Sequence, residues 1–439
     1  MNLILKSSET ILYQGLSNLI NLFSGVIIAR ALGPGGRGLY AVILMIHVLL
    51  STIVSMGIGN ANIYHIGKKK YSLNVIYNNS VFFTIVAGFS TIGLVYILSY
   101  GFQFEKLIGL PRVYFLSISW LVPFTLFFSY LNSIFLGLHK IKIFNAINLS
   151  KSILFLVSVV CLVMLLQLDQ IGILISLFVT EISICILSVY FYFQVDRGGL
   201  KRIKWRPEIF KDSMIFGFKG HLGTAIQILN YRMDVFLLAL FLVPEEIGYY
   251  AIAFGLVERI LIIPNAISQI FLSASSSLNS NDSNHITPKV TRVTLFSVTI
   301  LALIVFIFSK LIIKSLFGIA YLPGLKSLWI LLPGMIFLSL YKVMSSSFTG
   351  QGRPEIASYA AFTALIVNIS GNLILIPMIG IEGAALTSTL TYFVGAGFLI
   401  FIFCSKTHAS LRELFFITRE DINSIFNEFS GRNSLRRIY

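Results

Sequence analysis

Seven ionisable side chains sit inside long apolar runs of this sequence: Glu181, Lys219, Arg232, Asp234, Glu258, Arg259 and Lys342. A charge placed at the centre of a bilayer costs about 2.5–3.5 kcal/mol on insertion scales, so such groups mark candidate functional sites. Lys219, Gly223, Gln227, Asn230 and Asp234 recur at helical spacing and fall on one face of a helix. Gln14, Asn18, Asn21 and Gly25 repeat that spacing near the N-terminus. Two roles fit each stripe: lining a wet cavity, or joining helices through small and amide side chains.

Arg232 is two residues from Asp234 and therefore on nearly the opposite face, while Glu258 and Arg259 lie at similar depth beyond the hairpin 242–248. Two acids and two cations permit a pair of ion bridges that lock the hairpin. They equally permit Arg232 or Arg259 to offer its planar fork to phosphate oxygens while the acids reset its availability. Glu181 either meets Lys151 or Lys342 across the bundle or couples movement to a proton or sodium gradient through its own protonation. Lys342 is either a cavity cation for an anionic lipid head or a side chain that snorkels to the cytoplasmic edge. His47 and His221 have apolar neighbours and read as packed or interfacial. Cys161, Cys185 and Cys404 are far apart and form neither a disulfide framework nor a zinc spacing. With no DxD, His/Cys cluster or Walker A sequence, no catalytic residue, metal or cofactor is expected.

The elements that must position these groups follow from composition. Hydrophobic residues make up 56% of the 439, charged residues 12%, and mean hydropathy is +0.86; a soluble domain carries about 25% charged residues. Apolar segments long enough to span recur at about 10–30, 39–59, 79–101, 113–138, 146–167 and 171–193, then at 215–241, 249–273, 293–317, 326–348, 357–377 and 383–404. Backbone in hydrocarbon must bond to itself, and runs without strict alternation exclude a barrel, so the fold class is all-α integral membrane with about twelve spans. Ala29-Arg30-Ala31 mimics a signal-peptide cleavage site, but Gln14, Asn18 and Asn21 are too polar for an export core, and the first helix is read as retained. Most of the 33 cations fall on the side that holds both termini. This positive-inside bias predicts cytoplasmic termini and accounts for the +15 charge without nucleic acid.

The chain also repeats itself. Pro34-Gly35-Gly36-Arg37-Gly38-Leu39-Tyr40-Ala41 returns as Pro244-Glu245-Glu246-Ile247-Gly248-Tyr249-Tyr250-Ala251, Phe135 to Lys140 as Phe348 to Arg353, and Ile171-Gly172 as Glu382-Gly383. Six spans per half make the repeat parallel, its pseudo-twofold axis along the membrane normal, with two lobes about a central cavity. The expected division is an N-terminal lobe 1–193, a basic cytoplasmic linker 194–214, a C-terminal lobe 215–404 and a basic tail 405–439. Leu411, Leu414, Phe415, Ile422 and Phe426 give that tail amphipathic spacing on the inner leaflet, with a disordered tail the alternative.

The runs Ile28 to Pro34 with Gly38 to Ala41, Asn230 to Asp234 with Ile247 to Ala251, and Ile376 to Ala385 resemble Wzx-type polysaccharide repeat-unit flippases. These belong to the multidrug/oligosaccharidyl-lipid/polysaccharide exporter superfamily, and the resemblance covers about residues 8 to 405. It implies a MATE-like fold and outward flipping of undecaprenyl-pyrophosphate-linked oligosaccharide across a bacterial cytoplasmic (inner) membrane. It also implies a role in O-antigen, lipopolysaccharide or capsule synthesis, with a polysaccharide polymerase as partner. A multidrug and toxin extruder calls for acidic cavity faces, whereas the charge here is mixed to basic. A lipid II flippase has more spans, and where it places a cavity arginine this chain has Ser24. A membrane polymerase or ligase needs a long extracytoplasmic loop, and the longest expected here is 102–112.

Overall fold

In a computed structural model the described residues are 2–196, 207–407, 409–416 and 418; side chains 2–8, 11, 219, 220 and 222 lie outside the description. Among them every regular element is helical. In chain order these are α1 (Asn2–Ser55), α2 (Ile58–Gly67), α3 (Leu73–Phe102), α4 (Phe104–Leu107), α5 (Arg112–Gly137), α6 (Ile141–Val159), α7 (Asp169–Val195) and α8 (Pro207–Phe241). There follow α9 (Pro244–Glu258), α10 (Ile262–Ser277), α11 (Ser280–Ile312), α12 (Leu325–Gly350), α13 (Pro354–Ile379), α14 (Ile381–Thr407) and α15 (Leu411–Phe415). Hydroxyls that would be orphaned in hydrocarbon bond back to the preceding turn: Ser80 to the Ile76 carbonyl, Thr84 to Ser80, Ser176 to Gly172 and Thr180 to Ser176.

Eleven stretches among the described residues are long and apolar enough to cross a bilayer. The first, Leu12–Ser55, has 44 residues; at about 1.5 Å per residue it is roughly twice the length one crossing needs. It breaks at Gly33, whose φ of 65° and ψ of −175° are not helical, and Pro34 restarts the helix. Counted as two crossings, it brings the total to the expected twelve. Several helices outrun their expected segments, as with Ser280–Phe317 against 293–317. Hydropathy marks only the part in hydrocarbon, whereas the hydrogen-bonded ladder continues until a cap or proline stops it.

The repeat is visible in the packing. Gly38 abuts the Pro244 carbonyl and Gly248 abuts the Pro34 carbonyl, so that a Cβ on either glycine would overlap backbone. The two repeated hairpins thus make one reciprocal contact, each using its glycine against the other's proline, as a twofold relation requires. Later in each half, Gly137 at the end of α5 lies against Ile63 and Ile66 of α2, and Gly350 at the end of α12 lies against Leu272 and Ser275 of α10.

By compactness the chain forms two units, one of Met1–Ala251 with Lys314–Leu322, the other of Ile252–Ile313 with Pro323–Tyr439. In the first, α8 docks on α2 and on the turn after it. Asp212 accepts hydrogen bonds from Lys70 Nζ at 2.7 Å and Tyr71 Oη at 3.0 Å, and the Lys70 bond holds its carboxyl below the ordinary carboxylate range. Arg30, just before the break in α1, donates to the carbonyls of Ser315 and Leu316, and Tyr321 Oη donates to the Ala29 carbonyl at 2.8 Å. The orphan carbonyls at two helix ends are satisfied in this way.

In the second unit, Ser275, Ser283, Thr287, Ser347 and Gln351 share a buried hydrogen-bond network joining α10, α11 and α12. The short α15 is capped by Ser410, which accepts from the Glu413 amide. Its Leu414 is fully buried beside Leu340, Met344 and Phe348, so this position of the tail packs on protein. Residues 197–206 of the expected linker, and Ile422 and Phe426 of the tail, lie outside the described residues.

Candidate functional site

Helix α8 carries its stripe into packed surroundings as it nears the hairpin. Gln227 is partly exposed, Asn230 is buried, and Asp234 is only 1% exposed. An ionised carboxylate at that burial requires donors, and Asp234 has them: Tyr250 Oη at 2.6 Å and the Val235 amide at 2.7 Å. Asp234 therefore ties α8 to α9 directly across the hairpin. The side chain of Lys219, at the other end of the stripe, lies outside the described residues.

Arg232 lies in the field of another cation, Arg37. Glu258 is exposed and makes no ion pair among the described residues, and Arg259 donates to the Gly255 carbonyl. Helix α9 stops at Glu258, and Arg259–Leu261 is a 3-10 turn. Lys342 lies partly exposed within α12.

Gln14, Asn18 and Asn21 are exposed along the first segment of α1 and make no hydrogen bond to a neighbouring helix among the described residues.

Glu181 finds one of its two expected partners. Its Oε1 is 2.8 Å from Lys151 Nζ, and that ammonium sits 4.5 Å from the centroid of the Phe128 ring. Glu181 Oε2 is buried with no hydrogen-bond partner among the described residues. On α1, His47 is buried and its Nε2 lies 3.0 Å from Thr125 Oγ1. Helices α1, α5, α6 and α7 thus enclose an acid, an ammonium and an imidazole within one unit. His221 is buried as well.

One residue escaped the sequence-based search for a site. Arg37, in the repeated hairpin, has buried Nε and Nη1 atoms without a hydrogen-bond partner among the described residues, and its guanidinium carbon lies 5.2 Å from the centre of the Tyr40 ring. The available signal was Tyr40 three residues on, the spacing that stacks side chains on one helix face. No group of three or more His, Cys, Asp or Glu able to hold a metal occurs among the described residues.

Comparison with known proteins agrees with this architecture. A family profile described as "Polysaccharide biosynthesis protein" matches residues 27–326. The probable low-salt glycan biosynthesis flippase Agl15 of Haloferax volcanii is 28% identical over 171 residues, 37% of this chain and 35% of that protein. The chain spans about a third or less of the curated relatives it matches. Two solved structures superpose at a TM-score of 0.74. One is an inward-facing multidrug resistance MATE family transporter, 15% identical and matched over 89% of this chain and 94% of its own. The other is the lipid II flippase MurJ, 18% identical and matched over 98% and 94%. At such identities the likeness concerns the fold. Matched by the family profile over more than half its length, and sharing its fold with these transporters over nearly all of it, the chain belongs to the polysaccharide biosynthesis protein family.

Proposed function

We propose that the protein is a flippase for lipid-linked oligosaccharides, carrying the saccharide head of a prenyl-diphosphate lipid from the inner to the outer leaflet by alternating access. The observation that carries this reading is the duplicated twelve-span body with polar and cationic groups inside it, in a family of polysaccharide biosynthesis. The similarity to Agl15, a probable glycan biosynthesis flippase, and to MurJ, a lipid II flippase, favours the same substrate class. The carrier is taken to be undecaprenyl pyrophosphate in a bacterial cytoplasmic membrane, and the product a repeat unit for O-antigen, lipopolysaccharide or capsule, consumed by a polysaccharide polymerase. Transport is driven by a proton or sodium gradient, with Glu181 the first residue to test. No covalent chemistry is assigned to the protein.

Deletion is the test. Loss of the gene should abolish a surface polysaccharide while mass spectrometry of lipid extracts shows lipid-linked oligosaccharide accumulating. Resistance to cationic dyes should be unchanged. A deletion strain that keeps its glycan and becomes dye-sensitive would transfer the assignment to a multidrug extruder.

A further inference from the structure

A guanidinium whose buried nitrogens have no acceptor is rare in proteins, because buried charges are nearly always paired. Arg37 is such a group. Its Nε and Nη1 are buried without a hydrogen-bond partner among the described residues, while the residue as a whole is partly exposed and so can be reached. Its described surroundings supply no carboxylate. They are the Tyr40 ring at 5.2 Å, the Tyr321 side chain and a second cation, Arg232. The Tyr321 hydroxyl donates to the Ala29 carbonyl, and no described hydrogen bond joins its oxygen to the buried Nε or Nη1 of Arg37. The nearest acid in sequence to Arg232 is Asp234, which faces the other way on α8 and holds Tyr250. In the first turn of α9, Glu245 is exposed, with the Tyr249 hydroxyl 3.5 Å from it.

We infer that Arg37, within the electrostatic reach of Arg232, is an oxyanion site at the hairpin end of the first unit, taking a phosphate ester or diphosphate. Two cations held in one field without an acid repel each other until an anion lies between them. Phosphate oxygens match the fork geometry of arginine, which presents two parallel N–H groups. The Tyr40 ring supports the guanidinium plane from its face. The site stands at the reciprocal contact of the two repeated hairpins, where Gly38 and Gly248 bring backbone against backbone. An anion bound there sits at one end of the transport path and not at its midpoint. This inference rests on the flippase reading for the identity of the anion, but not for its existence.

Anion binding to the full-length protein in nanodiscs tests it, with two probes: inorganic pyrophosphate in solution, and undecaprenyl phosphate doped into the nanodisc lipid. Arg37→Gln should weaken binding of whichever probe binds by about tenfold or more, as loss of a charged bidentate contact does. Arg37→Lys should fall between the two, keeping charge but losing the fork, and Arg232→Gln should also weaken binding. Arg112→Gln is the control, since Arg112 is ion-paired with Glu105 at 2.9 Å and belongs to no proposed site. Binding of the lipid alone would identify a headgroup taken from the membrane; binding of both would show that the anion suffices. Either supports the site. Arg37→Gln protein that melts at a lower temperature yet binds both probes as the wild type does would show a structural arginine and overturn the proposal, as would binding of neither probe by the wild type. The flippase reading fails separately, through a deletion strain that retains its glycan while Arg37-dependent binding persists.

Discussion

The pair of Glu181 and Lys151 concentrates the question of what drives transport. Glu181 is 6% exposed, and its one satisfied oxygen depends on Lys151. Removing one member of a buried pair leaves a stranded charge and costs about 3–5 kcal/mol, whereas removing both can be neutral. Lys151, about a third exposed, can relieve part of that cost by moving toward water, so Glu181→Gln should destabilise less than Lys151→Met. Thermal melting in detergent should show this order, with recovery in the double variant. The double variant then separates brace from carrier. If Glu181 carries the coupling proton, a folded Lys151→Met/Glu181→Gln protein should transport without responding to a pH gradient. An unchanged response to the gradient in that protein would remove Glu181 from the coupling path. Sequence reasoning had reached this pair as one of two alternatives, because a charge in an apolar run demands a counter-charge. It could not reach Arg37, which looked like an ordinary loop cation until the fold enclosed two of its nitrogens.

At the scale of elements, glycine and proline carried most of what was legible. Pro34 to Gly38 and Pro244 to Gly248 declared themselves as repeats by spacing alone, and the structure adds that the two copies touch. Contact between copies depends on the approach of helices distant in sequence, which no local pattern encodes. The 3-10 turn at Arg259–Leu261 is likewise invisible to hydropathy. The hairpin contact gives a sharp prediction. A Cβ on Gly248 would overlap a backbone carbonyl rather than a flexible side-chain tip, so Gly248→Ala cannot be absorbed by a rotamer change. Overpacking of this kind costs about 1–3 kcal/mol, and Gly38→Ala should behave alike. Gly15→Ala is the comparison, because a Cβ there meets nothing within 4 Å and a helical alanine is intrinsically favoured. A Gly248→Ala protein that melts with the wild type would mean that the hairpins do not abut in the membrane.

For the whole molecule, the hairpin contact and the cation distribution together predict an orientation that can be checked. Because Gly38 meets Pro244 and Gly248 meets Pro34, both hairpins lie at one end of the first unit. Lys70 and the start of α8 are joined at Asp212, one span away from each hairpin and therefore at the other end. Lys68, Lys69 and Lys70 share that end, and by alternation of spans so do Lys140 and Lys142. The positive-inside rule predicts that this end faces the cytoplasm, and with an even number of crossings it predicts both termini there too. Single cysteines in a background lacking Cys161, Cys185 and Cys404 should then report from two sides. Gly35→Cys and Glu245→Cys should react with an impermeant maleimide in intact cells, whereas Ser280→Cys and Ser410→Cys should react only after permeabilisation. Labelling of Ser280→Cys from outside, with Gly35→Cys protected, would invert the molecule and place the Arg37 site at the cytoplasmic entrance. Gly35→Cys and Glu245→Cys reporting from opposite sides would be more damaging, since no twelve-span chain with those two hairpins in contact can expose them to different compartments.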